Sequence, residues 1–244
     1  MEKDYTNFSQ GMNTASRPMS PFAAVDAGLR QFMITVYNYM LGALALTGVI
    51  AFFVSSQPEL MQTIVGSPLM WVVLLAPIGL VLFMGFRIHA MSVSTAQFVF
   101  WLYAGLLGLG LSPIFLAYTG ESVARAFFIS AATFGGMSLY GYTTKRDLTS
   151  MGSFLIMGLW GVVIASIINI FLGSSGMGFV ISVLSVLIFT GLTAYDTQKI
   201  KEIYYASDTG DVASKKAIMG ALNLYMDFIN LFIHLLRLIG DRRS

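Results

Sequence analysis

The chain has 244 residues, 56% of them hydrophobic and only 11% charged, where a soluble domain carries about a quarter charged residues, and its mean hydropathy is +0.75. Such a composition belongs to an integral membrane protein. A net charge of +2, with basic residues scattered at the edges of apolar runs, excludes a nucleic-acid partner, and the absence of cysteine excludes disulfides, thiolate metal sites and cysteine nucleophiles.

Residues 1–30 are polar and rich in Ser, unlike the charged start and apolar core of a cleaved signal peptide, and are expected to form a flexible tail that turns helical near Asp26. A helix needs about 20 apolar residues to cross the hydrocarbon layer. Six runs approach that length, at residues 32–54, 68–86, 97–118, 124–143, 151–172 and 177–195, and a more polar seventh covers 217–239. The breaks between them are short and carry turn residues, except for a longer polar loop at 197–216. In the fourth break Asp147 is expected to cap the next helix. Ser112-Pro113 predicts a plain kink in the third span, with a cavity lining as the alternative. Small residues at four-residue spacing, Ala131 with Gly135 and Ala132 with Gly136, and Gly105, Gly108 and Gly110 in the third span, predict close helix packing. No segment is large enough for a soluble domain, so the expectation is an all-α membrane protein: one transmembrane bundle over 31–240 and a basic C-terminal tail at 241–244.

Lys and Arg gather in the tail (Arg17, Arg30) and in the even breaks (Arg87; Lys145 and Arg146; Lys199, Lys201, Lys215 and Lys216), which places the N-terminus in the cytoplasm. Seven full spans would then put Arg237, Arg242 and Arg243 outside, against the rule. Either the last segment dips in and returns, or Asp241 and interior partners offset those charges.

The last segment carries Asn223, Asp227, Asn230, His234 and Arg237 at intervals of four, three, four and three, which keeps them on one helical face while the other faces are apolar. A polar stripe of this kind cannot face lipid cheaply, so this helix is expected at the centre of the bundle. The preceding segment ends with Thr190, Thr193, Asp196 and Thr197, again on one face. A carboxylate inside a span costs roughly 2.5 to 3.5 kcal/mol on insertion scales, so each aspartate needs a polar cavity, a proton or a cation. If the two oxygen-rich faces meet, Asp196 and Asp227 share a proton and titrate as a unit. Protonated, they hold the helices together; ionised, they repel or recruit a cation such as Ca²⁺, which prefers six to eight oxygen ligands. The competing reading for Asp196 is a solvated residue at the cytoplasmic end of its span, near Lys199 and Lys201. His234 is expected to be a hydrogen-bonded interior residue rather than a transition-metal ligand, and Arg87 to snorkel to water or pair with an interior aspartate.

The stretches GMSLYGYTTKRDL (136–148), FTGLTAYDTQKIK (189–201) and ALNLYMDFINLFIHLLRLIG (221–240) resemble the transmembrane Bax inhibitor motif family, particularly its bacterial branch, and the similarity in layout runs from about residue 28 to the end. The resemblance implies six helices around a central seventh and a leak of cations, chiefly Ca²⁺, controlled by pH through two aspartates. By motif position these are Asp196 and Asp227, and the basic residue that can pair with them is Arg87. It further implies that the chain needs no cofactor, with Ca²⁺ or H⁺ as the transported ion, the lipid bilayer as partner, and the bacterial inner membrane as location. The alternative is a non-conducting membrane regulator that binds other membrane proteins, such as a quality-control protease. An enzyme is not expected: an intramembrane aspartyl protease wants Gly-x-Gly before its second aspartate, and here Tyr225 and Met226 precede Asp227.

Overall fold

The computed structural model describes residues 21–243, with side chains from residue 26 onward apart from Val65. The helices are α1 (Pro21–Ser55), α2 (Pro58–Val65), α3 (Leu69–Arg87, then a 3-10 turn at Ile88–Ala90), α4 (Val93–Leu111), α5 (Ile114–Ala117), α6 (Gly120–Thr143), α7 (Thr149–Leu172), α8 (Ser175–Glu202) and α9 (Gly210–Ile239). Seven of these, with α5 continuing α4, are long and apolar enough to cross a membrane. Side-chain caps set several of their starts. Ser92, Thr119 and Ser174 accept from the N–H of Thr95, Ser122 and Met177, and α7 stops at Gly173, whose left-handed φ of 61° lets its N–H reach the Asn169 carbonyl. At the start of α7 the hydroxyl and backbone N–H of Thr149 hold the Asp147 carboxyl below the usual carboxylate range. That exposed contact acts above the ordinary carboxylate pKa and fades as the pH falls through the lowered value.

α9 occupies the centre. It packs against α1, α4, α6 and α8, while α3 lies behind α4 and α7 behind α8. Burial follows the same order: 56% of the most apolar window of α9 is buried but only 6% of that of α7. α7 is apolar on all sides, and Phe154, Trp160, Ile170 and Phe171 point outward, as a lipid-facing helix requires. The bundle is thus an all-α membrane fold with a central C-terminal helix. Where α9 crosses α1 and α4, the Thr47 hydroxyl donates to the Ala104 carbonyl at 2.9 Å, so the buried Tyr225 hydroxyl, 2.6 Å away, donates to Thr47.

Three expectations are corrected. First, the tail ends earlier: α1 begins at Pro21, a residue suited to a first helical turn, and residues 1–20 of the predicted tail lie outside the described residues. Second, the polar loop at 197–216 is mostly helix, with only residues 203–209 between α8 and α9. Its Lys199 and Lys201 sit in the last turn of α8 and Asp211 in the first turn of α9, where they suit the helix dipoles, so loss of hydropathy marks the edge of the membrane and not the end of the helix. Third, Ser112-Pro113 does more than kink the third span. α4 ends at Leu111 and a separate short helix starts after Pro113. Of the two readings left open for the last segment, the continuous α9 of 30 residues, about 45 Å at 1.5 Å per residue, matches a single pass without a return. The C-terminal segment is also no loose tail: Asp241 pairs with Arg125 at 3.1 Å, its N–H donates to Ser122, and the Arg243 N–H donates to the Ala117 carbonyl.

The close approaches are also distributed differently. Gly108 packs on the Thr47 carbonyl and Ile50, as expected, but Gly135 and Gly136 are exposed and face open space. The tight crossing of α6 and α8 is at Gly141, whose missing side chain is replaced by the backbone of Ala194.

Gly141→Ala is therefore expected to lower stability by about 1–3 kcal/mol, read as a reduced Tm in detergent, whereas Gly136→Ala leaves it unchanged or slightly raised. A double-mutant cycle tests the buried hydroxyl pair. Thr47→Val should cost about 1–3 kcal/mol because it orphans the Tyr225 hydroxyl, and adding Tyr225→Phe should recover part of that loss.

Candidate functional site: a carboxyl pair between α8 and α9

The two last helices run antiparallel, with Ile200 against Gly220 toward the face where α1 begins and the Phe189 ring stacked on His234 toward the opposite face. Between those contacts the side chains of Asp196 and Asp227 meet within hydrogen-bonding reach of each other. Asp227 is 5% exposed and Asp196 is half-buried. α8 runs on for six residues beyond Asp196, to Glu202, so Asp196 does not stand at a solvated helix end.

Among the described residues no protein group donates to the buried Oδ2 of Asp227. The ion pairs there are Arg125–Asp241 and Lys216–Asp208, both away from the pair. Lys199, one turn from Asp196 on α8 and exposed, is the cation whose charge reaches Asp196. What satisfies the buried oxygen must therefore come from outside the fold's own donors: a proton held between the carboxyls, water or a cation.

The remaining predicted residues divide. Arg87 is exposed at the end of α3, which packs on α4, and it forms no ion pair among the described residues; the structure does not bring it to the aspartates. Thr193 is fully buried with its hydroxyl donating to the Phe189 carbonyl of its own helix, so it serves the packing of α8 and lines none of the cavities described. Asn230 donates to the Met226 carbonyl, and Asn223 is half-buried one turn from Asp227. His234 lies 3.4 Å from the Ser182 hydroxyl; because Ser182 already donates to the Gly178 carbonyl, His234 Nδ1 is the donor in this weak contact. Arg237 stands ten residues from Asp227, about 15 Å along α9, and opens into a cavity at the far end of the helix. The α9 stripe therefore faces α8 at Asp227 and His234, but its members do not form one site. No group of three or more His, Asp or Glu side chains gathers among the described residues.

Two features carried no signal in the sequence. Tyr37, Ser138 and Thr197 form a hydroxyl chain across α1, α6 and α8 at 2.6 and 3.0 Å, ending on the Thr193 carbonyl. Single hydroxyls on three separate spans have no common spacing. Ser185 lies on α8 with its buried hydroxyl unpartnered among the described residues.

Residues 29–244 match the family described as inhibitor of apoptosis-promoting Bax1. The chain is 49% identical to an uncharacterized protein of Rickettsia prowazekii over 90% of its own length and 93% of that protein. It is 42% identical to the inner membrane protein YbhL of Escherichia coli over 89% and 94%, and 39% identical to an uncharacterized membrane protein of Streptococcus pyogenes over 88% and 94%. With seven apolar spans, a central last helix and nearly the whole length matched, the chain belongs to the Bax inhibitor-1-like family of integral membrane proteins.

Proposed function

We propose that the protein is a pH-sensitive cation leak, with Ca²⁺ as its leading cargo, gated by Asp196 and Asp227. The observation that carries this reading is the carboxyl contact in the middle of the bundle, where the buried Oδ2 of Asp227 has no protein donor. A proton shared between the two groups supplies that donor and joins α8 to α9. Ionisation removes it and sets two like charges side by side. At about 4 Å and an effective dielectric of about 20 their repulsion is roughly 4 kcal/mol, close to the ~5.5 kcal/mol that carries a two-state equilibrium from 1:99 to 99:1. The latch therefore opens as the pH rises.

A pair of carboxylates is a transient stop for Ca²⁺ rather than a resident site. It offers at most four carboxylate oxygens where the ion takes six to eight, so waters must complete the shell and release stays easy. We assign the protein to the bacterial inner membrane, as the name of YbhL states for that relative, with the α1 end in the cytoplasm, since most of the Lys and Arg lie on that face. Arg87, exposed on the same face, takes part only if opening brings it to the ionised pair.

In proteoliposomes, Ca²⁺ flux of the wild type is expected to rise between acid and neutral pH. Asp227→Asn and Asp196→Asn cannot form the doubly ionised pair, so their flux should stay near the wild-type acid level at every pH. Three superimposable pH profiles would remove the aspartates from the gate. No flux from any form would leave a non-conducting regulator that acts through other membrane proteins.

A further inference from the structure

Away from the aspartates, at the face of the bundle where the chain ends, Arg237 and Arg242 border one cavity of about 500 Å³ between the α7–α8 turn and the end of α9. A second cavity of about 270 Å³ adjoins it through Asn169, Gly178 and Arg237. No Asp or Glu lines either space. The acid nearest in sequence, Asp241, is turned away from the cavity and held by Arg125 at 3.1 Å and Ser122 at 3.2 Å. Neither Arg237 nor Arg242 has a carboxylate partner among the described residues.

One further side chain of the wall is oriented to donate. The Asn169 Oδ1 accepts from the Ser174 N–H at 3.1 Å, which fixes the amide and leaves its Nδ2 protons for the cavity. The Ser182 hydroxyl is already committed to the Gly178 carbonyl. α8 begins at this wall with no acidic residue in its first turn, so the positive end of its dipole is not neutralised by its own side chains. Two exposed arginines, an amide and a helix start thus border one space with no acidic residue in its wall.

We propose that this cavity binds a phosphoryl anion. A tetrahedral anion with several acceptor oxygens matches the planar donor fork of arginine and supplies the negative charge that the wall lacks. The volume lies within the range of small-ligand sites. Phe179 and Ile170, apolar and exposed, stand at the rims of the two spaces, which places the mouth where water meets hydrocarbon. Inorganic phosphate from the aqueous side and the phosphate of an anionic lipid headgroup can both reach it there. The inference stands apart from the leak, since its residues lie on the other side of His234 from the carboxyl pair.

The test uses the full chain in nanodiscs of phosphatidylcholine. One arm titrates inorganic phosphate by calorimetry; the other replaces part of the lipid with phosphatidylglycerol and counts the anionic lipids retained per protein by native mass spectrometry. Arg237→Gln and Arg242→Gln are each expected to weaken binding about tenfold or more in whichever arm shows it, because each removes charged hydrogen bonds. Arg243→Gln, an exposed basic residue of the same segment that does not border the cavity, should bind like the wild type. Arg237 and Arg242 are both exposed, so neither variant removes a packed side chain from the core. Binding in the phosphate arm identifies a soluble ligand, and retention in the lipid arm alone identifies a headgroup. Absence of both, or binding that neither arginine variant weakens, overturns the proposal.

Discussion

A polar atom in a lipid-embedded bundle has no bulk water to fall back on, and every group that the central helix buries must find its partner within the protein. α9 meets this constraint residue by residue. Tyr225 is satisfied through Thr47 and Ala104, Asn230 by its own helix, and His234 by Ser182. Asp227 is the exception: among the described residues no protein group donates to its Oδ2, and the side chain it meets is a second acid. The arrangement of the surrounding helices follows from enclosing that position: α1, α4, α6 and α8 form the inner ring, and the strongly apolar α3 and α7 lie outside it.

The inner ring can close only where side chains are absent. At Gly141 the backbone of α8 enters the space that a side chain of α6 would fill, and at Gly108 the α1 backbone does the same to α4. The Gly141 crossing sets Thr197 against Ser138 of α6, so the oxygen-bearing edge of α8 is divided between packing and chemistry. The threonines turn their hydroxyls onto their own carbonyls and leave Asp196 as the group that meets α9.

Much of this was legible in the residues. Span existence follows from hydropathy, and the period of the α9 stripe places that helix at the centre; the meeting of Asp196 with Asp227 is an expectation conditional on the two oxygen-rich faces coming together. What was not legible has physical causes. Hydropathy reports where lipid ends, so a helix that continues into water, as α8 does through Lys201 and α9 does from Asp211, looks like a loop. Small residues at four-residue spacing look the same whether they meet a helix or the bilayer, and Gly136 and Gly141 differ only in what stands opposite them. Arg87 ends an apolar run, yet run length carries no information about which neighbours a helix has, and α3 turned out to be peripheral. The two-arginine cavity joins residues from three stretches of chain that only the folded C-terminal segment brings together.

The way α9 is fastened bears on how the bundle can move. At one end Lys215 grips the carbonyls of His89 and Met91; at the other, Asp241 and Arg243 are stitched to the turn before α6. The central helix is an axle clamped in two bearings. α8 has no such clamp where it starts: its far end is leashed to α9 by residues 203–209, while its beginning borders the open space beside Arg237. On the latch proposed above, a parting of the two acids would be borne by α8 and not by α9, which is fastened at both of its ends.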